Sequence, residues 1–123
     1  MKSRLFLNNV YVKKSPRQGF GVFAGKKLRK GELIEECYFL ISKGSTKAFE
    51  DFYFDAHGKN ALLLGYGSIY NHSDDANADY VINMKKRIAT IRADRTIQHG
   101  EEIFVSYGDD WFSSRGRRHK KNI

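Results

Sequence analysis

The feature that most limits what this chain can fold into is the shortness of its apolar runs. Each is rich in β-branched or aromatic residues, and each is soon stopped by glycine or charge. Val22-Phe23-Ala24 stops at Gly25, Cys37-Tyr38-Phe39-Leu40-Ile41 at Lys43-Gly44, and Ile88-Ala89-Thr90-Ile91 at Arg92. Runs of that length suit strands and are too short for core helices. Eleven glycines in 123 residues point the same way, because glycine inside a helix costs about 1 kcal/mol against alanine. Helical spacing shows near Thr46, which would cap a short helix carrying Phe49, Phe52 and Tyr53 on one side. The expectation is a mostly-β (α+β) domain of several small sheets.

Strands are expected at Leu5 to Lys14 (ended by Ser15-Pro16), at Val22 to Ala24, at Glu32 to Ser42 and at Ile103 to Ser106. Tyr80 to Met84 and Ile88 to Ile91 read as a hairpin with Lys85-Lys86-Arg87 at its tip. Residues 56–60 read as loop and Asp74-Asp75-Ala76-Asn77 as a turn. Lys27 to Ile34 echoes Thr96 to Ile103: a hydrophobe, two residues, Gly-Glu, then a strand. Two short copies cannot stack into a solenoid, so one turn solution used twice is expected. Gly19 to Ala24 fits G-x-G-x-x-A on paper. A dinucleotide fingerprint needs a helix opening at those glycines, whereas Val22-Phe23-Ala24 reads as strand, so the glycines mark close backbone approach.

The net charge is +8, and the excess is uneven. Arg115, Arg117, Arg118, Lys120 and Lys121 crowd the end, with His119 adding charge only when protonated. The chain therefore divides into a domain over residues 1–114 and a basic tail over 115–123. The tail is a solvated run in the plain reading and a nucleic-acid contact in the sharper one. A single cysteine, Cys37, excludes an internal disulfide framework and a Cys-rich zinc cluster, and is expected as a core residue in a reducing compartment. No apolar run approaches the roughly 20 residues of a membrane span, so an intracellular protein without a membrane partner is expected.

Two stretches carry chemistry. Tyr70-Asn71-His72-Ser73 ends the apolar, glycine-broken run 62–69, so its polar pair arrives where burial demands partners. The second, Gly100 to Gly108, drives a strand into Tyr107-Gly108. Alone, each is explained blandly, as a turn with a satisfied histidine and as a strand end. The pair in this order is more specific.

With Gly19-Phe20-Gly21-Val22-Phe23-Ala24, Gly31-Glu32, Asn71-His72-Ser73 with Asn77, and Gly100-Glu101-Glu102-Ile103 to Tyr107-Gly108, the chain resembles a SET domain from about Val10 to Phe112. That is the protein-lysine methyltransferase fold that uses S-adenosylmethionine and no metal. The likeness is to the minimal SET proteins of large algal DNA viruses. It implies several small sheets and a knot-like crossing of the Asn71 and Tyr107 segments. It implies that Tyr107 is the catalytic channel tyrosine. Cofactor contacts would come from Gly19, Phe20, Gly21, Asn71, His72 and Tyr107, with Trp111 or Phe112 over the adenine. Tyr80, Val105, Phe52 and Tyr53 would line the substrate channel. Ala76 stands where the family often has proline, and the Cys-rich segments flanking many relatives are absent.

Methyl transfer from a sulfonium to an amine asks for alignment, a neutral amine and a dry channel. Lysine in water has a pKa near 10.4, so burial and the cofactor's positive charge must favour the neutral form. The resemblance implies a basic peptide as substrate. A histone H3 tail is foremost, with an Ala-Arg-Lys-Ser context a candidate, which would place the protein in a eukaryotic host nucleus. Acidic pairs, Glu35-Glu36 and Asp74-Asp75 among them, are expected to offset the chain's own charge in the groove. A homodimer is expected to complete the groove. The alternative is a non-enzymatic, basic, aromatic-rich β-domain binding nucleic acid, which explains the charge but not Asn71-His72 with Tyr107.

Overall fold

A computed structural model describes residues 4–44, 47–50 and 52–106. Among the described residues nine strands carry the fold: β1 Val10–Lys14, β2 Phe20–Ala24, β3 Leu33–Ser42, β4 Tyr53–Ala56, β5 Lys59–Leu63, β6 Asn71–His72, β7 Ala78–Asn83, β8 Ile88–Ala93 and β9 Glu102–Val105. A 3-10 turn, Gly67–Ile69, stands between β5 and β6. The strands form two sheets, ordered β1-β2-β9-β6 and β4-β5-β3-β8-β7. The mostly-β expectation holds, as does the β7–β8 hairpin, which runs in unbroken antiparallel register from Ala78↔Ala93 to Asn83↔Ile88.

The longer sheet curls on itself. Phe54 on β4 and Tyr80 on β7 come from opposite edges, yet their rings meet edge to face at 5.0 Å. The Tyr80 hydroxyl then donates to the Asp55 carbonyl at 3.2 Å. Enclosed between the sheets lie Ile34, Phe39, Ile91, Ile97, Ile103 and Val105, all fully buried.

Three expectations need correction. The strand drawn from Leu5 begins at Val10; before it only Leu7 pairs, as an isolated bridge to Glu35. The helix expected around Phe49 to Tyr53 is, among the described residues, one turn closed by Phe52 N donating to Phe49 O at 2.9 Å, followed by β4. Tertiary pairing overrides a weak helical period here, because Tyr53 is buried opposite Leu62. Residues 56–60 are not all loop: His57 and Gly58, at φ +53° and +85°, make a tight two-residue hairpin turn, and Lys59 already belongs to β5.

The internal echo is structural. Arg29 O accepts from Glu32 N, and Gln98 O accepts from Glu101 N, each turn carrying glycine at positive φ, Gly31 (+86°) and Gly100 (+89°). In each, the glutamate carboxylate reaches back to the first amide, Arg29 N at 3.0 Å and Gln98 N at 2.6 Å. Gly31 N donates to Ala93 O, as Gly100 N does to Ala24 O. The two copies bond each other through Leu28 and Ile97, whose amides and carbonyls pair reciprocally at 2.8 Å. Likeness in sequence has become a local pseudo-two-fold that ties β2 and β9 to β3 and β8.

Candidate active site

β9 holds the site together. On one side it pairs antiparallel with β2, Val22 opposite Ile103 and Phe23 opposite Glu102. On the other it pairs parallel with β6, Asn71 opposite Phe104 and His72 opposite Val105. The two chemistry-bearing stretches therefore lie side by side. Asn77 locks the return: its side-chain amide donates to Glu102 O at 2.9 Å, and its Oδ1 accepts from Phe104 N at 2.8 Å.

Asn71 is almost fully buried. Its Nδ2 donates to the Glu102 carboxylate at 2.7 Å and faces the carbonyls of Gln18 and Phe20 at 3.2 and 3.3 Å. This is where the loop before β2 meets β6. Gly19 takes φ +53°, which suits glycine. At Gly21 any Cβ would run into the Glu102 carboxylate and press on Asn71 Nδ2. The close backbone approach expected of these glycines is found at Gly21, against Asn71 and Glu102; at Gly19 a Cβ would meet open space and the demand is conformational. His72 is buried, with Nε2 2.9 Å from the Asp74 carboxylate.

Beside this junction opens a cleft of about 530 Å³ whose lining includes Gln18, Gly19, Phe20, Phe52, Ile69 and Asn71. Phe20 stands 60% exposed at its mouth. Ser68 fixes the opposite wall, donating to Phe52 O at 3.1 Å and accepting from Leu63 N. Behind the wall, Glu35 accepts from the Tyr70 hydroxyl at 2.7 Å and from Tyr66 N at 2.9 Å. Burial raises the Glu35 carboxyl above its usual range despite those bonds. The same burial, beside that carboxyl, pushes the Cys37 thiol up and leaves it a core residue. Glu35 points inward, so it does not supply the acidic groove expected of it.

Of the expected site residues, Gly19, Phe20, Asn71 and Phe52 share the cleft, and Gly21 lies beside it. Val105 is wholly buried beneath, paired with His72. Tyr53 is buried on β4, its hydroxyl 3.1 Å from Ser42 Oγ. Tyr80 bonds Asp55 O across the curled sheet, and burial pushes its hydroxyl up to about 12. Tyr107, Trp111, Phe112 and the tail lie outside the described residues. Sequence reasoning missed Ser15 and Glu102. The signal available for Glu102 was a carboxylate opening an otherwise apolar strand.

Residues 19–108 match the model of the SET domain. The chain belongs to the SET domain family. A histone-lysine N-methyltransferase of Schizosaccharomyces pombe, described as H3 lysine-37 specific, is 29% identical over 110 residues, covering 82% of this chain and 75% of that protein. A structure described as a candidate histone methyltransferase of Plasmodium falciparum superposes with a TM-score of 0.74 at 31% identity, over 86% of this chain and 98% of that one. The fold is also found in Chaetomium thermophilum Polycomb Repressive Complex 2. One such structure, bound to S-adenosylmethionine, gives a TM-score of 0.67 at 21% identity, over 85% of this chain and 16% of that one.

Proposed function

We propose that this SET domain is a protein-lysine methyltransferase using S-adenosylmethionine, with a lysine of a histone H3 tail as its first candidate substrate. The observation that carries the reading is the junction of Asn71 with the Gln18 and Phe20 carbonyls at the lip of an apolar cleft. The names of the fission-yeast and Plasmodium relatives support a histone substrate, and with it a nuclear setting.

The residues present fit the cofactor. Gly21 lets the loop lie against Asn71 where a Cβ would intrude, and the cleft beside that cradle has walls of Val12, Phe20, Phe52 and Ile69. When bound, S-adenosylmethionine supplies an activated methyl group. Asn71 would hold the polar end of the cofactor together with the Gly19-Phe20-Gly21 backbone, and His72 would contribute backbone contacts. Aromatic walls would disfavour a charged lysine and keep water out. Tyr107 would orient the neutral amine through its hydroxyl.

The test is mass spectrometry of histones and H3 peptides incubated with the protein and S-adenosylmethionine. A 14 Da addition on lysine is expected, and Tyr107→Phe should reduce it strongly while folding survives. No methyl transfer to any histone or basic peptide, together with no calorimetric binding of S-adenosylhomocysteine, would overturn the reading in favour of the nucleic-acid one.

A further inference from the structure

We infer that Glu102 is a positioning residue for the cofactor site, one carboxylate that joins the loop before β2, β6 and β9 where they meet at its polar end; this rests on the methyltransferase reading above. Glu102 is 9% exposed, and among the described residues no cation bonds its carboxylate. A buried carboxylate normally needs a charged partner or several hydrogen bonds. Here each oxygen takes a different neutral donor. Oε1 accepts from Ser15 Oγ at 2.7 Å, and Oε2 accepts from Asn71 Nδ2 at 2.7 Å.

The donors are not interchangeable ornaments of a core. Ser15 opens the loop that leads to Gly19. Its Oγ accepts from Arg17 N at 3.0 Å, which leaves the hydroxyl proton for Glu102, and its own N donates to Gly19 O at 2.7 Å. Asn71 reaches the same loop from the other side, through the Gln18 and Phe20 carbonyls. Glu102 thus joins the start of the loop to the amide that grips its end, and the bare Cα of Gly21 is what lets the carboxylate sit there. Its own backbone is fixed by Asn77, so the anchor does not drift. A fold needing only a filled core would not place a carboxylate between two donors at this point, where an apolar side chain leaves no buried charge.

Glu102→Gln keeps the shape but offers one acceptor where two donors converge. The new amide nitrogen must face either Asn71, which then loses its acceptor, or Ser15, whose hydroxyl must reverse to accept and leaves its proton unpaired, and the loop loosens. The expected result is a KM for S-adenosylmethionine and a Kd for S-adenosylhomocysteine raised about tenfold, with kcat at saturating cofactor within about twofold of wild type. A variant that merely lost folded protein would lose kcat instead. Adding Ser15→Ala removes the competing donor and should recover part of the cofactor affinity. Hydrogen exchange gives a readout that needs no cofactor: the Arg17 and Gln18 amides should exchange faster in Glu102→Gln. Faster exchange in a protein whose wild type binds no S-adenosylhomocysteine would uphold the anchoring role and sink the cofactor reading. Unchanged exchange and unchanged cofactor KM in the folded variant would overturn the inference.

Discussion

Glu35 shows how much one buried acid can govern. Its carboxyl accepts from the Tyr70 hydroxyl and Tyr66 N, so it fixes both ends of the 3-10 turn whose Ile69 lines the cleft. Because burial raises its folded-state pKa above the usual 4.5, the native state holds the proton more tightly than the unfolded chain. Stability from this group is therefore full below pH 4.5 and is lost as pH rises through the folded value. The stability of wild type relative to Glu35→Gln should fall as pH rises above about 4.5. Urea titrations at successive pH values measure this, and a constant difference would refute it. At the same scale, Cys37 was legible as a core residue from its setting in an apolar run, whereas the inward turn of Glu35 was not. Strand alternation sets Glu35 on the face of Cys37 and Phe39 and Glu36 on the other, but the unbroken apolar run 37–41 hides which face is inward; the Glu36 carboxylate accepts from Phe6 N.

Among elements, the paired turns at Gly31 and Gly100 are the clearest case of sequence becoming structure. A Cβ at either glycine would meet open space, so the demand for glycine is conformational, not steric crowding. Gly31→Ala and Gly100→Ala should each cost about 1–2 kcal/mol of stability, the strain of a non-glycine residue at positive φ. Thermal denaturation of the two variants should show similar losses, since the two turns make equivalent bonds. A loss at one and none at the other would show that the equivalence is superficial. Gly21 is different in kind, for there the obstacle is the Glu102 carboxylate.

For the whole molecule, charge is the property that matters most. Lys and Arg number 22 and Asp and Glu 14; ending the chain at residue 114 removes five Lys or Arg and no acid, taking +8 to +3. We propose that the tail contributes a salt-sensitive attraction to nucleic acid, and that the chain works as a homodimer. A chain ended at 114 should match the full chain on a free H3 peptide, act more weakly on nucleosomes at low salt, and still sediment as a dimer. Equal losses on both substrates would mean that the tail builds the site, and a monomeric full chain would remove the dimer. Among the described residues no helix is long and apolar enough to cross a membrane.

By itself the sequence determined β1 to β3, β7 to β9 and the doubled glycine turn. Each of these rests on side-chain period or on the φ demands of a few adjacent residues, which act over short range. Tertiary structure alone decided that Tyr53 would lie in a strand, that the long sheet would curl until Phe54 met Tyr80, and that Glu102 would face Asn71 and Ser15. The first rests on the pairing of β4 with β5; the others join residues 25 to 87 positions apart, across the curled sheet and where β9 lies between β2 and β6. Pairing over such distances is fixed by the packing of the whole core, and no single stretch of the chain carries it.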